Sequence, residues 1–223
     1  MDVASKDVLF TIAMTLDLPS LLRWCQSNSR IHKDVCNNEH LWRNKLLQDY
    51  PDYEKFNLKL SLKETYVLMF QLSYIKKILN TEETLYEIFM KKQINLSGKE
   101  LKRIPSFNLP NLQSLYLSSN ELKEIGLSDL PNLEHIYLHD NKLEHILLTN
   151  LPKLKYLNLS DNKLKEVNLS FPNLAALYLS NNPLIKVTLD LPKLRELDLF
   201  KNNLSQEEKR KIKETYGNKI RFL

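Results

Sequence analysis

The stretch LPNLEHIYLHDNKL, residues 130–143, decides how most of this chain folds. Apolar and polar residues alternate through its centre, an asparagine follows, and the same order of residues returns at nearly constant spacing on both sides. Such units begin at residues 109, 130, 151, 171 and 191, and a weaker one begins at residue 94. A period this regular predicts a stack of similar structural units in which neighbours share one continuous core.

One asparagine occupies the same position of each unit, so the asparagines recur with the period of the repeat. The alternating L-x-L ahead of it predicts a short strand with its leucines facing inward, stacked in parallel on the strands of neighbouring units. A side-chain amide can bond backbone groups of the turn and of the next coil, which an apolar side chain cannot do. We therefore expect a structural turn role for Asn120, Asn141, Asn162, Asn182 and Asn202.

The unit L-x-x-L-x-L-x-x-N-x-L resembles the leucine-rich repeat family. The resemblance implies a solenoid over residues 91–204. The units are at the short end of the family's range, which implies an outer side of extended chain or single helical turns. Residues 205–223 are expected to form a helical C-terminal cap, since Ser205 and Glu208 have capping-box spacing and Gly217 suits a helix end. The final KIRFL can add a last strand.

Outward-facing positions of the predicted strands are rich in tyrosine. Aromatic side chains held on a rigid sheet give a large contact area at low entropic cost, which favours a concave face that binds a protein target. Tyrosine also suits any exposed strand, so the same residues could simply cover the sheet. The predicted target-binding residues are Tyr116, His135, Tyr137, Tyr156, Tyr178, Asp198 and Phe200.

The first fifty residues follow a helical pattern instead of the repeat. Leu18, Leu21, Leu22 and Cys25 fall at i, i+3, i+4 and i+7, which predicts an amphipathic helix that begins near Asp17. A similar stripe precedes this helix, and a third helix is expected after an asparagine cap. We predict a three-helix head over residues 1–50 and a helical connector with an N-terminal cap for the solenoid over residues 51–90.

The runs DLPSLLRWCQSNSR (residues 17–30) and WRNKLLQDYP (residues 42–51) resemble an F-box, in particular the F-box-like segments of large DNA viruses of amoebae. Ala4 and Ser5 stand where the family pattern opens with Leu-Pro. The resemblance implies that the head binds a Skp-type adaptor of a cullin-RING ubiquitin ligase. The adaptor-binding residues that it implies are Leu9, Ile12, Pro19 and Leu22.

Composition and motifs exclude several other functions. The 32 basic and 27 acidic residues are spread along the chain without the dense basic field of a nucleic-acid binder. No nucleophile elbow, phosphate loop or catalytic carboxylate pair is present, so we predict no enzyme activity and no cofactor. His135 and His139 fit no metal-ligand spacing, so no metal is expected, and Cys25 and Cys36 are interpreted as unpaired core residues.

Without a basic leader or a long apolar segment, we expect no membrane association and a cytoplasmic location, in the host cytoplasm if the chain is viral. Together, the resemblances imply a non-catalytic substrate receptor: the head binds the adaptor and the concave face holds an unknown protein substrate. The alternative is a leucine-rich repeat scaffold or regulatory binding protein whose helical head only caps the solenoid.

Overall fold

A computed structural model describes residues 5–104 and 109–221, so Ala4 lies outside the described residues. A helical N-terminal region is followed by a solenoid of parallel strands and a final helix, which confirms the predicted fold class. The chain divides into two compact units. The first contains the residues up to Lys77 together with Glu83–Tyr86, and the second contains Ile78–Glu82 and the residues from Glu87 onward.

Side-chain caps begin the short helices of the N-terminal region. Ser5, Asp17, Asn28 and Asn38 each accept a hydrogen bond from a backbone N–H of the first turn that they precede. The helices are α1 Lys6–Thr15, α2 Leu18–Ser27, α3 Ser29–Ile31, a π-helical turn His32–Cys36, α4 Glu39–Asp49, a 3-10 turn Tyr53–Phe56, α5 Leu62–Leu79 and α6 Leu85–Phe89.

A buried lysine fixes the C-terminal end of α1. Lys45 on α4 is 2% exposed, and its ammonium donates hydrogen bonds to the carbonyls of Met14 (3.3 Å) and Leu16 (2.9 Å). The carboxylate of Asp49 lies 3.7 Å from the same ammonium and accepts a hydrogen bond from the hydroxyl of Tyr66. A buried charge is tolerated only when it is paired and hydrogen-bonded, and this network meets that condition.

Cys25 and Cys36 form a disulfide that joins α2 to the π-helical turn, with 5.9 Å between the two Cα atoms. The sequence interpretation was right that both residues are buried but wrong that they are unpaired, because the turn brings the chain back onto α2. Closing a loop of this size stabilises a fold by about 3 kcal/mol. Disulfides persist in oxidising compartments, so this pair does not favour the predicted cytoplasmic location.

The solenoid consists of short strands on both sides of a leucine core. Its strands are β1 Gln93–Asn95, β2 Ser114–Tyr116, β3 Glu124–Ser128, β4 His135–Tyr137, β5 His145–Thr149, β6 Tyr156–Asn158, β7 Glu166–Ser170, β8 Ala176–Tyr178, β9 Lys186–Asp190, β10 Glu196–Asp198 and, after the last helix, β11 Ile220–Arg221. Over the described part of the chain, seven of them form one parallel sheet in the order β1-β2-β4-β6-β8-β10-β11.

The outer side is extended chain, which is one of the two structures expected there. In the described ranges, β3 pairs with β5 and β7 pairs with β9, as two separate parallel sheets. The division follows the length of the units, because the units that contain β3 and β5 are each one residue longer than those that contain β7 and β9. The extra residue of the longer units, Asp129 and Asn150, turns the chain with a left-handed backbone (φ 58° and 51°).

Helix α7, Gln206–Tyr216, closes the solenoid at its C-terminal end. Ser205 caps it by accepting a hydrogen bond from the backbone N–H of Glu208 (3.2 Å), and Ile212 is buried. Gly217 ends the helix with φ 52°, a conformation that suits glycine. Strand β11 then pairs with β10, so the expected last strand is present as far as the chain is described.

The five turn asparagines make equivalent hydrogen bonds. Each joins its own turn to the preceding unit, whereas the sequence predicts a connection to the next unit. The amide nitrogen of Asn141 donates to the carbonyl of Leu138 (3.1 Å) in its own strand and to that of Leu117 (2.9 Å) one unit earlier. Its carbonyl oxygen accepts from the N–H of Leu122 at 3.1 Å. Among the described side chains, no buried polar atom is left without a hydrogen-bond partner.

We expect Asn141→Ala to lower the free energy of unfolding by about 1 to 3 kcal/mol, because it leaves the buried N–H of Leu122 without a partner and removes one of the two amide hydrogen bonds to each of the Leu117 and Leu138 carbonyls. The matched control is Lys142→Ala. Its ammonium lies 3.2 Å from Glu121, but both side chains are at least 40% exposed, so this change should cost far less. Urea unfolding curves measure both values, and equal losses would contradict the role given to the asparagine.

Candidate functional site: the concave tyrosine ladder

The strand register lines up the outward-facing residues of the seven-stranded sheet into two rows. Residues at the ends of each three-residue strand face outward while the central residue is buried, as alternation along a strand requires. One row contains Gln93, Ser114, His135, Tyr156, Ala176 and Glu196, and the other contains Asn95, Tyr116, Tyr137, Asn158, Tyr178 and Asp198.

Four tyrosines from these two rows form one continuous series of ring contacts, here called the tyrosine ladder: Tyr116, Tyr137, Tyr156 and Tyr178. The first two rings are nearly parallel, 6° apart with centroids 4.6 Å apart. The second and third centroids lie 4.9 Å apart, and the third and fourth lie 5.3 Å apart. Asn158 would interrupt its row, but Tyr156 from the other row fills the gap diagonally.

The stacking decides which parts of the rings a partner meets. Side chains stand roughly perpendicular to a sheet, so rings stacked across strands turn their faces to one another and their edges and hydroxyls outward. All four residues are half-buried. Partial burial is the main cause that raises the pKa of Tyr137 and of Tyr156 above the ordinary value, and the preceding tyrosine of the ladder raises each further. Tyr137 and Tyr156 are therefore neutral at physiological pH.

Hydrogen bonds fix the strand ends beside the ladder. Asn158 accepts a hydrogen bond from the N–H of Ser160 (3.0 Å), and the hydroxyl of Ser180 donates to that of Ser160 (2.9 Å). The hydroxyl of Ser118 lies 3.0 Å from Nδ1 of His139. These contacts hold the backbone beneath the rings, so the ladder has little freedom to lose when a partner binds.

The structure brings five of the seven predicted target-binding residues into contact. Four are the tyrosines of the ladder, and the fifth is His135, whose ring centroid lies 6.2 Å from that of Tyr156. Asp198 continues the row on β10, opposite Tyr178. Phe200 follows at the strand end, 46% exposed, with the ammonium of Lys201 5.3 Å from its ring centroid. The spacing of the repeat predicts the register of the strands, but it does not predict the diagonal contact between Tyr156 and Tyr137.

The predicted adaptor-binding residues lie on two helices of the head. Ile12 on α1 is 41% exposed and Leu9 is half-buried. Pro19 on α2 is exposed and Leu22 is half-buried. Val8, which the predicted set omits, is 50% exposed and precedes Ile12 by one helical turn. The i, i+4 spacing of two apolar residues is a signal that could have found it.

No group of three or more His, Cys, Asp or Glu side chains in the described ranges is arranged to hold a metal ion. Within those same ranges, no helix is both long enough and apolar enough to cross a membrane.

Comparison with known families supports the repeat assignment. Residues 110–149 match a family model described as Leucine Rich repeats (2 copies), and residues 153–174 match one described as Leucine Rich Repeat. The prediction of leucine-rich repeats is confirmed. A protein-interaction module is the function that such a solenoid suggests. The search of curated proteins found no significant match.

Solved structures of two other proteins also resemble this chain. A leucine-rich repeat protein of Leptospira interrogans is 28% identical over 51% of this chain and 38% of its own, with a TM-score of 0.34. YopM from Yersinia enterocolitica is 18% identical over 60% of this chain and 47% of its own, with a TM-score of 0.29. The matched part is less than half the length of either protein.

We expect the rings of the ladder to stabilise one another. A double-mutant cycle with Tyr116→Leu and Tyr137→Leu should give a coupling free energy of about 0.5 to 1.5 kcal/mol in urea unfolding, because the two rings stack directly. The control cycle pairs Tyr116→Leu with Tyr178→Leu, whose rings are separated by two others. Its coupling should be close to zero, and equal couplings in the two cycles would show that the stack contributes nothing.

Proposed function

We propose that this chain is a substrate receptor of a cullin-RING ubiquitin ligase, with a head that binds a Skp-type adaptor and a tyrosine ladder that binds a protein target. The observation that carries the proposal is that each of the two compact units presents exposed or half-exposed apolar side chains of its own. Such a receptor needs two interfaces and no catalytic residue, because it acts by raising the concentration of the target near the ubiquitin-loading enzyme.

The tyrosine ladder supports the target-binding half of the proposal. Interface hot spots are enriched in tyrosine, and a rigid platform loses little entropy when a partner is bound. The ladder offers both an apolar surface and hydroxyl groups over four neighbouring strands, β2, β4, β6 and β8. His135, Asp198 and Phe200 extend the face at its borders.

The α1 surface supports the adaptor-binding half. Val8 and Ile12 are among the large apolar side chains that stay exposed, whereas Ala13 on the same helix is fully buried. An exposed apolar stripe on a helix suits a hydrophobic partner surface. Ser5 caps α1 where the F-box pattern has Leu-Pro, so contact with an adaptor would rest on the helix and not on that opening pair.

One observation favours a second candidate, a leucine-rich repeat scaffold whose head only caps the solenoid. The disulfide between Cys25 and Cys36 is typical of oxidising compartments, whereas cullin-RING ligases act in reducing ones. The two candidates differ in a single property, which is whether the head binds a Skp-type adaptor.

Size-exclusion chromatography of the full chain with a eukaryotic Skp adaptor, in reducing and in oxidising buffer, tests the proposal. We expect a complex that Ile12→Asp weakens at least about 10-fold, because a carboxylate would be buried against an apolar surface. Leu147→Asp is the matched control, since Leu147 is 65% exposed on the outer strand β5 of the solenoid. It should leave the complex intact.

Circular dichroism of Ile12→Asp checks that the head still folds. The absence of a complex with every adaptor tried, in both buffers, would overturn the ligase proposal and leave the scaffold. Equal weakening by Ile12→Asp and Leu147→Asp would show that the head surface is not the binding site.

A further inference from the structure

The concave face carries a charge opposite to that of the whole chain. The chain has a formal net charge of +5. The outward-facing strand positions and the turn residue that precedes each asparagine hold four acidic and two basic residues, so this face has a formal charge of −2. The acidic residues are Asp140, Asp161, Glu196 and Asp198, and the basic residues are Lys201 and Arg221, which β11 places in register with Asp198.

The four carboxylates lie along one edge and at one end of the tyrosine ladder. Asp140 and Asp161 are exposed in neighbouring units, each in a left-handed turn (φ 57°) after β4 and β6. Glu196 and Asp198 are half-buried on β10, where the strand register places them beside Ala176 and Tyr178. Clustered charges of one sign on a concave surface attract a partner of the other sign and repel polyanions.

The ladder favours the same kind of partner. Tyr137 stacks face to face on Tyr116 and lies against the tilted ring of Tyr156 (36°) on its other side, so its faces are not open to a proline or an aromatic ring. The outward hydroxyls accept hydrogen bonds, and lysine and arginine side chains supply donors only. Strands in a sheet are about 4.8 Å apart and an extended chain rises about 3.3 Å per residue, so about seven residues would cross the ladder and β10.

We infer that the partner of the concave face is an extended polypeptide segment rich in lysine or arginine. It crosses the strands along the tyrosine ladder, with its cations beside the four carboxylates and its donors on the tyrosine hydroxyls. The inference rests on the proposed target-binding role of this face and goes beyond it by naming the chemistry of the target.

The test uses two fluorescein-labelled peptides, one alternating arginine with serine and the other alternating glutamate with serine, each long enough in extended form to cross the ladder and β10. Fluorescence anisotropy with the full chain should detect binding of the basic peptide only, and affinity should fall as salt rises. The concave variant combines Asp140→Asn, Asp161→Asn, Glu196→Gln and Asp198→Asn. We expect it to bind the basic peptide at least about 10-fold more weakly.

These substitutions remove charge and keep the backbone contacts. Asn181 already occupies the left-handed position that Asp140 and Asp161 hold in their own units (φ 52°). Asn158 accepts from Ser160 the same hydrogen bond that Asp198 accepts from the N–H of Phe200, both at 3.0 Å. The control variant removes four carboxylates elsewhere in the solenoid, at Glu124, Glu144, Glu166 and Asp190, and should change the affinity less than about 2-fold.

Equal losses in the two variants, or equal binding of the acidic peptide, would overturn the inference. Selection of random displayed peptides on the full chain, with Tyr137→Ser as the counter-selection, separates this failure from that of the proposed function. Selected peptides that need Tyr137 but lack basic residues would overturn the basic partner and leave the target-binding face. Selection of no peptide that depends on Tyr137 would overturn both, whereas basic peptides that depend on it would support both.

Discussion

The contact on which the rest of the solenoid depends is the buried asparagine amide that joins each unit to the preceding one. Asn162 donates to the carbonyls of Leu138 and Leu159, both at 3.0 Å, and accepts from the N–H of Leu143 at 3.0 Å. Asn120, Asn141, Asn182 and Asn202 repeat this arrangement. Without Asn162, the buried N–H of Leu143 in the preceding unit would be unpaired, and the carbonyls of Leu138 and Leu159 would each lose one of their two amide donors.

The concave surface follows from that contact. Because each amide sets its unit against the preceding one, equivalent strand positions stack in register, and tyrosines that are one repeat apart in sequence become neighbours in space. The ladder owes its rigidity to the backbone beneath it, and its continuity to Tyr156. Unit length then decides the outer side, where one extra residue per unit separates β3 and β5 from β7 and β9.

Much of this architecture could be predicted from two spacings. The spacing of the leucines shows which residues must be buried, and the spacing of the asparagines shows where buried backbone groups need a hydrogen-bond partner. The helices of the N-terminal region could also be predicted, because capping residues such as Asp17 and Asn38 stand directly before apolar stripes. The disulfide was missed because an irregular π-helical turn brings Cys36 back to Cys25, and periodicity carries no such information. The orientation of the tyrosine rings depends on packing between neighbouring strands. The sequence of a single unit contains no information about that packing.

Hydrogen exchange in Asn162→Ala tests most directly whether asparagine amides organise the stack. We expect the Leu143 amide to lose protection by about 10- to 100-fold, because its acceptor is gone, while the carbonyls of Leu138 and Leu159 each keep one amide donor. The amide of Leu122, held by Asn141 one unit earlier, should lose less, and amides of α4 in the head should not change. An unchanged rate at Leu143, or the same increase at every amide of the chain, would show that the asparagine amides do not organise the stack.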